Sequence, residues 1–135
     1  MKPTLFILAA VSLALAGAPA HAEIVVVVNL KNPATRMFSA QAAQFFLGKS
    51  AMFTPVDQAD DSGIRNEFYK KCAGKDAAEV TAIWSKIVFT GKGRPPKVHA
   101  SGADVKKAVA ADVNAIGYID KAELDDTVKA VLSLP

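Results

Sequence analysis

Asp60-Asp61-Ser62-Gly63 is the stretch whose residue types and spacing best suit chemistry. It reads as a turn feeding a helix. A helix start leaves backbone N–H groups unpaired and carries a partial positive charge. The Ser62 hydroxyl adds a donor, and Gly63 lets an anion approach the backbone closely. The pattern therefore suits an oxyanion site. On pattern alone a plain helix cap, with Asp61 or Ser62 as the capping side chain, is the stronger reading. Ionised Asp60 and Asp61 repel a dianion. A carboxylate nonetheless accepts a hydrogen bond from a protonated oxyanion, so one acid here can favour hydrogen phosphate over sulfate. Arg65 follows three residues after Ser62. It either offsets the two acids or forms an exposed i,i+4 pair with Asp61.

Gly91-Lys92-Gly93-Arg94 is a second candidate, with two cations on a loop that can meet an anion or an acidic partner. The phosphate-loop pattern Gly-x-x-x-x-Gly-Lys-Ser/Thr is absent, and a solvated turn explains the loop as well. Asp57, Asp60 and Asp61 lack the spacing of a calcium loop, so no metal is expected. Nucleophilic chemistry has little to build on. There is no Gly-x-Ser-x-Gly elbow. Cys72 pairs with His99 only if the fold joins them. The chain is read as a non-enzyme that needs no cofactor.

The elements that must position these residues begin after an export signal. Lys2 precedes an apolar run from Leu5 to Leu15, and Ala20-His21-Ala22 fits a signal-peptidase site. That run is shorter than the about 20 residues a membrane span needs. Met1 to Ala22 is read as a removed leader, which places the protein in the periplasm. Of 135 residues, 113 remain, enough for one domain over residues 23–135. Lys2 leaves with the leader, so 15 basic side chains face 13 acidic ones and the net charge is +2. That balance does not point to nucleic acid, and no later stretch is apolar enough for a membrane span. Cys72 is the single cysteine, so no internal disulfide forms.

Glu23 to Asn29 contains four consecutive valines, the mark of a strand buried on both faces. Asn32-Pro33 marks a loop. Ser39 is read as the cap of a helix ending at Leu47-Gly48. A short strand spans Phe53 to Val56. In the helix after Gly63, residues Ile64, Phe68 and Cys72 share a face, which makes Cys72 a core residue. Asp76 and Glu79 have capping-box spacing before a helix carrying Val80, Ile83, Trp84, Ile87 and Val88 on one stripe. A helix starting at Ser101 or Gly102, a strand over Ile116–Ile119, a helical turn near Lys121–Leu124 and a strand over Val128–Leu134 complete the chain. The order β-α-β-α-α-α-β-β predicts an α/β fold, with a mixed, mainly parallel sheet and helices on both faces.

Several of these stretches, in this order, resemble the substrate-binding proteins of phosphate ABC importers, which have the type II periplasmic binding fold. Ile24 to Asn29 with Asn32-Pro33 resembles the family's opening strand and loop. Phe45-Phe46-Leu47-Gly48-Lys49 resembles its "IFLGK" helix end. Asp60-Asp61-Ser62-Gly63 resembles its Asp-Gly-Ser-Gly-Thr anion motif. Trp84, Phe89 and Gly91-Lys92-Gly93 resemble the helix and loop that follow, and Asn114 to Ile119 resembles its "GAIGYV" return strand. The resemblance covers nearly all of residues 23–135 but only one lobe of a two-lobe protein.

That resemblance implies phosphate or a related oxyanion as ligand, with an ABC permease or a sensor protein as partner. Within the motif Asp60, Ser62 and Gly63 match. Asp61 replaces a glycine, Ile64 replaces the final threonine, and Gln58 stands where a basic residue is expected. Carried over residue by residue, Ser62 and Gly63 remain as anion donors, with Arg65 and Asp61 beside them. A homodimer can rebuild a two-lobe cleft. The competing reading is an interaction or sensory module that kept the lobe and lost the ligand.

Overall fold

The computed structural model describes residues 23–59, 61 and 63–135. The export signal expected over Met1 to Ala22 lies outside the described residues, as do Asp60 and Ser62.

The chain runs β1 (Ile24–Val28), α1 (Ser39–Phe46), β2 (Thr54–Gln58), α2 (Gly63–Ala73), α3 (Ala77–Phe89), β3 (Lys97–His99), α4 (Gly102–Ala111), β4 (Ala115–Asp120), a 3-10 turn (Lys121–Glu123) and β5 (Lys129–Leu134). The strands form one sheet in the order β3-β2-β4-β1-β5. β2 pairs in parallel with β3 and β4, while β1 pairs antiparallel with both β4 and β5. Four strands therefore run one way and β1 alone runs against them.

All five β1 residues are buried. Ile24, Val26 and Val28 face a core built with α1, α2 and α3, whereas Val25 and Val27 face a second core under α4. The unbroken valine run is thus required by burial on both sides of the sheet. The larger core holds an aromatic group in which Phe68 stacks on Tyr118 at 3.9 Å, with Phe46 edge-on to both. Trp84 joins α3 to α1, its indole N–H donating to the Phe46 carbonyl at 2.8 Å.

The Asn-Pro loop has a structural task. The Asn29 amide donates to the carbonyls of Val109 and Ala110, and the Asn32 amide donates to that of Val113. The last turn of α4 has no intrahelical donors for such carbonyls. These asparagines supply them and bind the exit of β1 to the end of α4.

Three local expectations need correction. Phe38, not Ser39, caps α1; Gln41 accepts from the Phe38 N–H at 2.9 Å, so the side chain that closes this helix start is a glutamine inside it. Val88 lies off the buried stripe of α3 and is 48% exposed. β3 follows Pro95-Pro96, where no strand was expected; its three residues lie on the sheet edge and are mostly exposed, so they show no buried pattern. Asp76 caps α3 through the Glu79 N–H, as their spacing indicates; of the two starts offered for α4, the helix begins at Gly102 and Ser101 caps it through the Asp104 N–H. Among the described residues no helix is long and apolar enough to cross a membrane.

Candidate functional site

β2 delivers the chain to the candidate site. Its pairing with β3 is carried on by the Ala59 N–H, which donates to the His99 carbonyl at 3.0 Å. The chain then turns, and α2 begins at Gly63. Gly63 is exposed, and a Cβ built on it would meet nothing within 4 Å. No described residue outside its own chain neighbours and helix backbone therefore crowds the Cα side of Gly63. Asp61 is exposed in the turn. Ser62, which the sequence places between them, is outside the described residues.

Arg65 points elsewhere than an exposed pair with Asp61 would require. It is 8% exposed, and its Nε donates to Asp57 Oδ2 at 3.3 Å. Its guanidinium also lies 5.4 Å from the centre of the Tyr69 ring. Asp57 is 2% exposed and gathers several donors. The Tyr69 hydroxyl donates to Oδ2 at 2.7 Å, the Tyr118 hydroxyl donates to Oδ1, and the Gln58 N–H donates to Oδ1 at 2.9 Å. The Gln58 side chain is tied down as well, donating to the Tyr118 carbonyl at 2.7 Å. Burial, and then the negative charge of Asp57, push both tyrosine hydroxyls far above the usual range, so they remain neutral donors.

This network was not found from the sequence. Its members lie on β2, α2 and β4, spread from Asp57 to Tyr118, and no local spacing links them. One signal was present: Asp57 directly follows the strand read over Phe53 to Val56, and because β2 runs on to Gln58 the carboxylate is buried and must be paired. Its chemical effect on the candidate site is electrostatic. Asp57 neutralises much of the charge that Arg65 brings behind the start of α2.

Cys72 and His99 are not brought together. Cys72 lines a cleft with α1 residues, and His99 lines another beside Pro95 and Pro96. Burial pushes the Cys72 thiol up to about 11, and it donates to the Ser39 carbonyl at 3.5 Å. That environment is the reverse of one that activates a thiolate.

Besides the cleft that His99 lines, two more flank the segment between α3 and β3. One, of about 470 Å³, has Asp57 and Arg65 at its floor and Trp84, Val88, Phe89 and Val98 among its walls. The other, of about 430 Å³, is lined by Lys49, Ser50, Lys92 and Arg94 over Trp84 and Ile87. The Gly91–Arg94 cations thus face a cavity shared with the loop after α1.

No protein-family profile and no curated protein matches the chain. Solved structures do match in fold. One, from Clostridium perfringens, is a candidate phosphate ABC transporter substrate-binding protein with bound phosphate; it superposes with a TM-score of 0.65 at 24% identity, over 82% of this chain and 45% of that one. An ABC-type phosphate transport receptor from Vibrio cholerae gives 0.61 at 22% identity, over 82% and 46%. PstS from Borrelia burgdorferi gives 0.62 at 12% identity, over 82% and 47%. The chain spans less than half the length of these structures. Its fold is that of one lobe of a phosphate ABC transporter substrate-binding protein.

Proposed function

We propose that the chain is an exported, single-lobe oxyanion-binding protein of the periplasm, which takes phosphate or a close relative at the start of α2. It would serve as a component or accessory of phosphate ABC transport, handing its ligand or its bound state to a permease or sensor. The observation that carries this reading is the open backbone at Gly63, at the end of a strand–turn–helix unit in a lobe that matches a phosphate-bound structure. Helix starts of this kind favour anions through free N–H groups and the helix dipole.

Each sequence-derived residue has a part. Gly63 offers its N–H and its lack of a side chain. Ser62 supplies a hydroxyl donor. Asp61, exposed in the turn, accepts a hydrogen bond from a protonated oxyanion and disfavours sulfate. Arg65 acts from behind the helix start as a buried charge, weakened by Asp57.

Magnitudes point to weak binding. Phosphate has about five heavy atoms, and at a ceiling of roughly −1.5 kcal/mol per atom a complete site reaches about −7.5 kcal/mol, near micromolar. A one-lobe site open to water keeps a fraction of that, about millimolar. Pairing of two copies, or docking on a partner that closes over Gly63, would raise it.

Calorimetric titration of the mature protein with phosphate, arsenate and sulfate tests the reading. Saturable heat is expected for phosphate and arsenate, little for sulfate, and none for Ser62→Asp, whose carboxylate occupies the anion's place. Absence of heat at millimolar phosphate removes the reading. Light scattering across the same concentrations shows whether binding follows dimer formation.

A further inference from the structure

We propose that the strap joining α3 to β3, together with the loop after α1, docks an acidic peptide segment of a partner protein, one that sets carboxylates around a single large apolar side chain. Its cationic cleft is not lined by Gly63 or Arg65, while its apolar part adjoins the cleft that holds Arg65.

Its construction is specific. Gly48, with φ at +74°, lies so close to α3 that an added Cβ would be 2.6 Å from Ile87 Cδ1 and 2.9 Å from Trp84 Cη2. Across the cleft, an added Cβ on Gly93 would be 3.2 Å from Ile87 Cγ2. Both loops thus rest on the same Trp84–Ile87 pair, and Trp84 is held by its bond to Phe46. That close packing sets Lys49 on one side of a single cleft and Lys92 and Arg94 on the other.

The cations there are uncompensated. No carboxylate lines the cleft, and Lys49, Lys92 and Arg94 have no carboxylate partner among the described residues. Most other surface cations among the described residues also lack an ion pair, so what distinguishes these three is that they line one cleft together. The mature chain has a net charge of only +2, so three cations around one cleft with no acid in its lining make a local positive patch.

Apolar surface adjoins them. Phe89 is 93% exposed and Val98 is 56% exposed, both on the cleft on the other side of the strap. Exposed aromatic side chains and Arg are the residues enriched in protein contacts. A bare phosphate would leave this apolar rim unused, whereas an acidic segment with one large side chain satisfies both parts. Pro95 and Pro96 precede β3 and remove two backbone donors at that edge, which disfavours recognition by an added strand. The partner is therefore read through side chains.

Fluorescence anisotropy with a labelled synthetic peptide, several Asp and Glu around one Phe, tests the proposal on the mature protein. Saturable, salt-sensitive binding is expected, weakened about tenfold or more by Lys92→Glu/Arg94→Glu. Phe89→Ser should also weaken it, as should replacing the peptide's Phe by Ala. Lys31→Glu/Lys107→Glu makes the same change in net charge on other exposed surface and should leave the affinity unchanged. All substituted side chains are exposed, and circular dichroism checks that each variant is folded. No saturation at millimolar peptide overturns the proposal. So does an equal loss in both double variants, which would mean general electrostatics, and so does displacement of the peptide by millimolar phosphate.

Discussion

The Tyr118 hydroxyl donates to the Asp57 carboxylate across 61 residues of chain, and that bond joins the outgoing strand β2 to the returning strand β4 beneath the start of α2. Tyr69, from α2 itself, donates to the other oxygen of the same carboxylate. The position of the α2 start relative to the sheet is therefore held by a buried acid with two tyrosines, as well as by apolar packing.

Removing either hydroxyl should be felt. Tyr118→Phe and Tyr69→Phe each delete one donor to a buried carboxylate, at a cost of about 1.5–3 kcal/mol. Because both donors serve one acceptor, the double variant should lose a different amount from the sum of the singles. Urea denaturation of the two singles and the double measures both quantities.

The same tyrosines set a response to alkali. Burial, reinforced by Asp57, raises both hydroxyls above their unfolded value of 10.0. A raised acid keeps its proton in the folded state while the unfolded chain gives it up. Their contribution is fully present below about pH 10 and is lost as pH rises further, by about 1.4 kcal/mol per unit for each tyrosine. Thermal unfolding followed from neutral pH upward should show this decline, with a shallower slope in the Tyr69→Phe variant.

Two glycines should answer the same substitution in opposite ways. Gly48→Ala places a Cβ against Ile87 and Trp84 at a positive φ, and should cost about 2 kcal/mol. Gly63→Ala enters open space at the start of a helix and should be neutral or stabilise by about 0.5 kcal/mol. Equal costs in denaturant melts would contradict the packing described around Trp84.

Cys72 should be silent until the protein opens. Its thiol is buried, raised to about 11 and bonded to the Ser39 carbonyl. A thiol reagent at neutral pH should label it at the rate of unfolding, and immediately in denaturant. Rapid labelling of the native protein would place Cys72 at the surface.

What could be read from the sequence follows from how far apart the interacting residues lie. The valine run of β1, the Phe68–Cys72 spacing of α2 and the capping spacing of Asp76 and Glu79 are local patterns, and each of these elements formed where its pattern placed it. β3 was not legible, because three edge residues behind two prolines carry no burial pattern. The Asp57 network was not legible either, because its residues meet only after β2 and β4 pair and α2 packs across them. Arg65 shows the consequence. From its sequence neighbours it reads as a surface partner of Asp61, and in the fold it is a buried partner of Asp57.

The central claim, that an anion is received at the start of α2, is tested most directly by following backbone amide signals of the isotope-labelled mature protein while phosphate replaces chloride at constant ionic strength. The account predicts a saturating shift centred on the Gly63 amide and fading along α2, absent in Gly63→Asp, whose added carboxylate suits a helix start and leaves the fold intact. A Gly63 signal that stays fixed at millimolar phosphate, or shifts confined to Lys92 and Arg94, would contradict it.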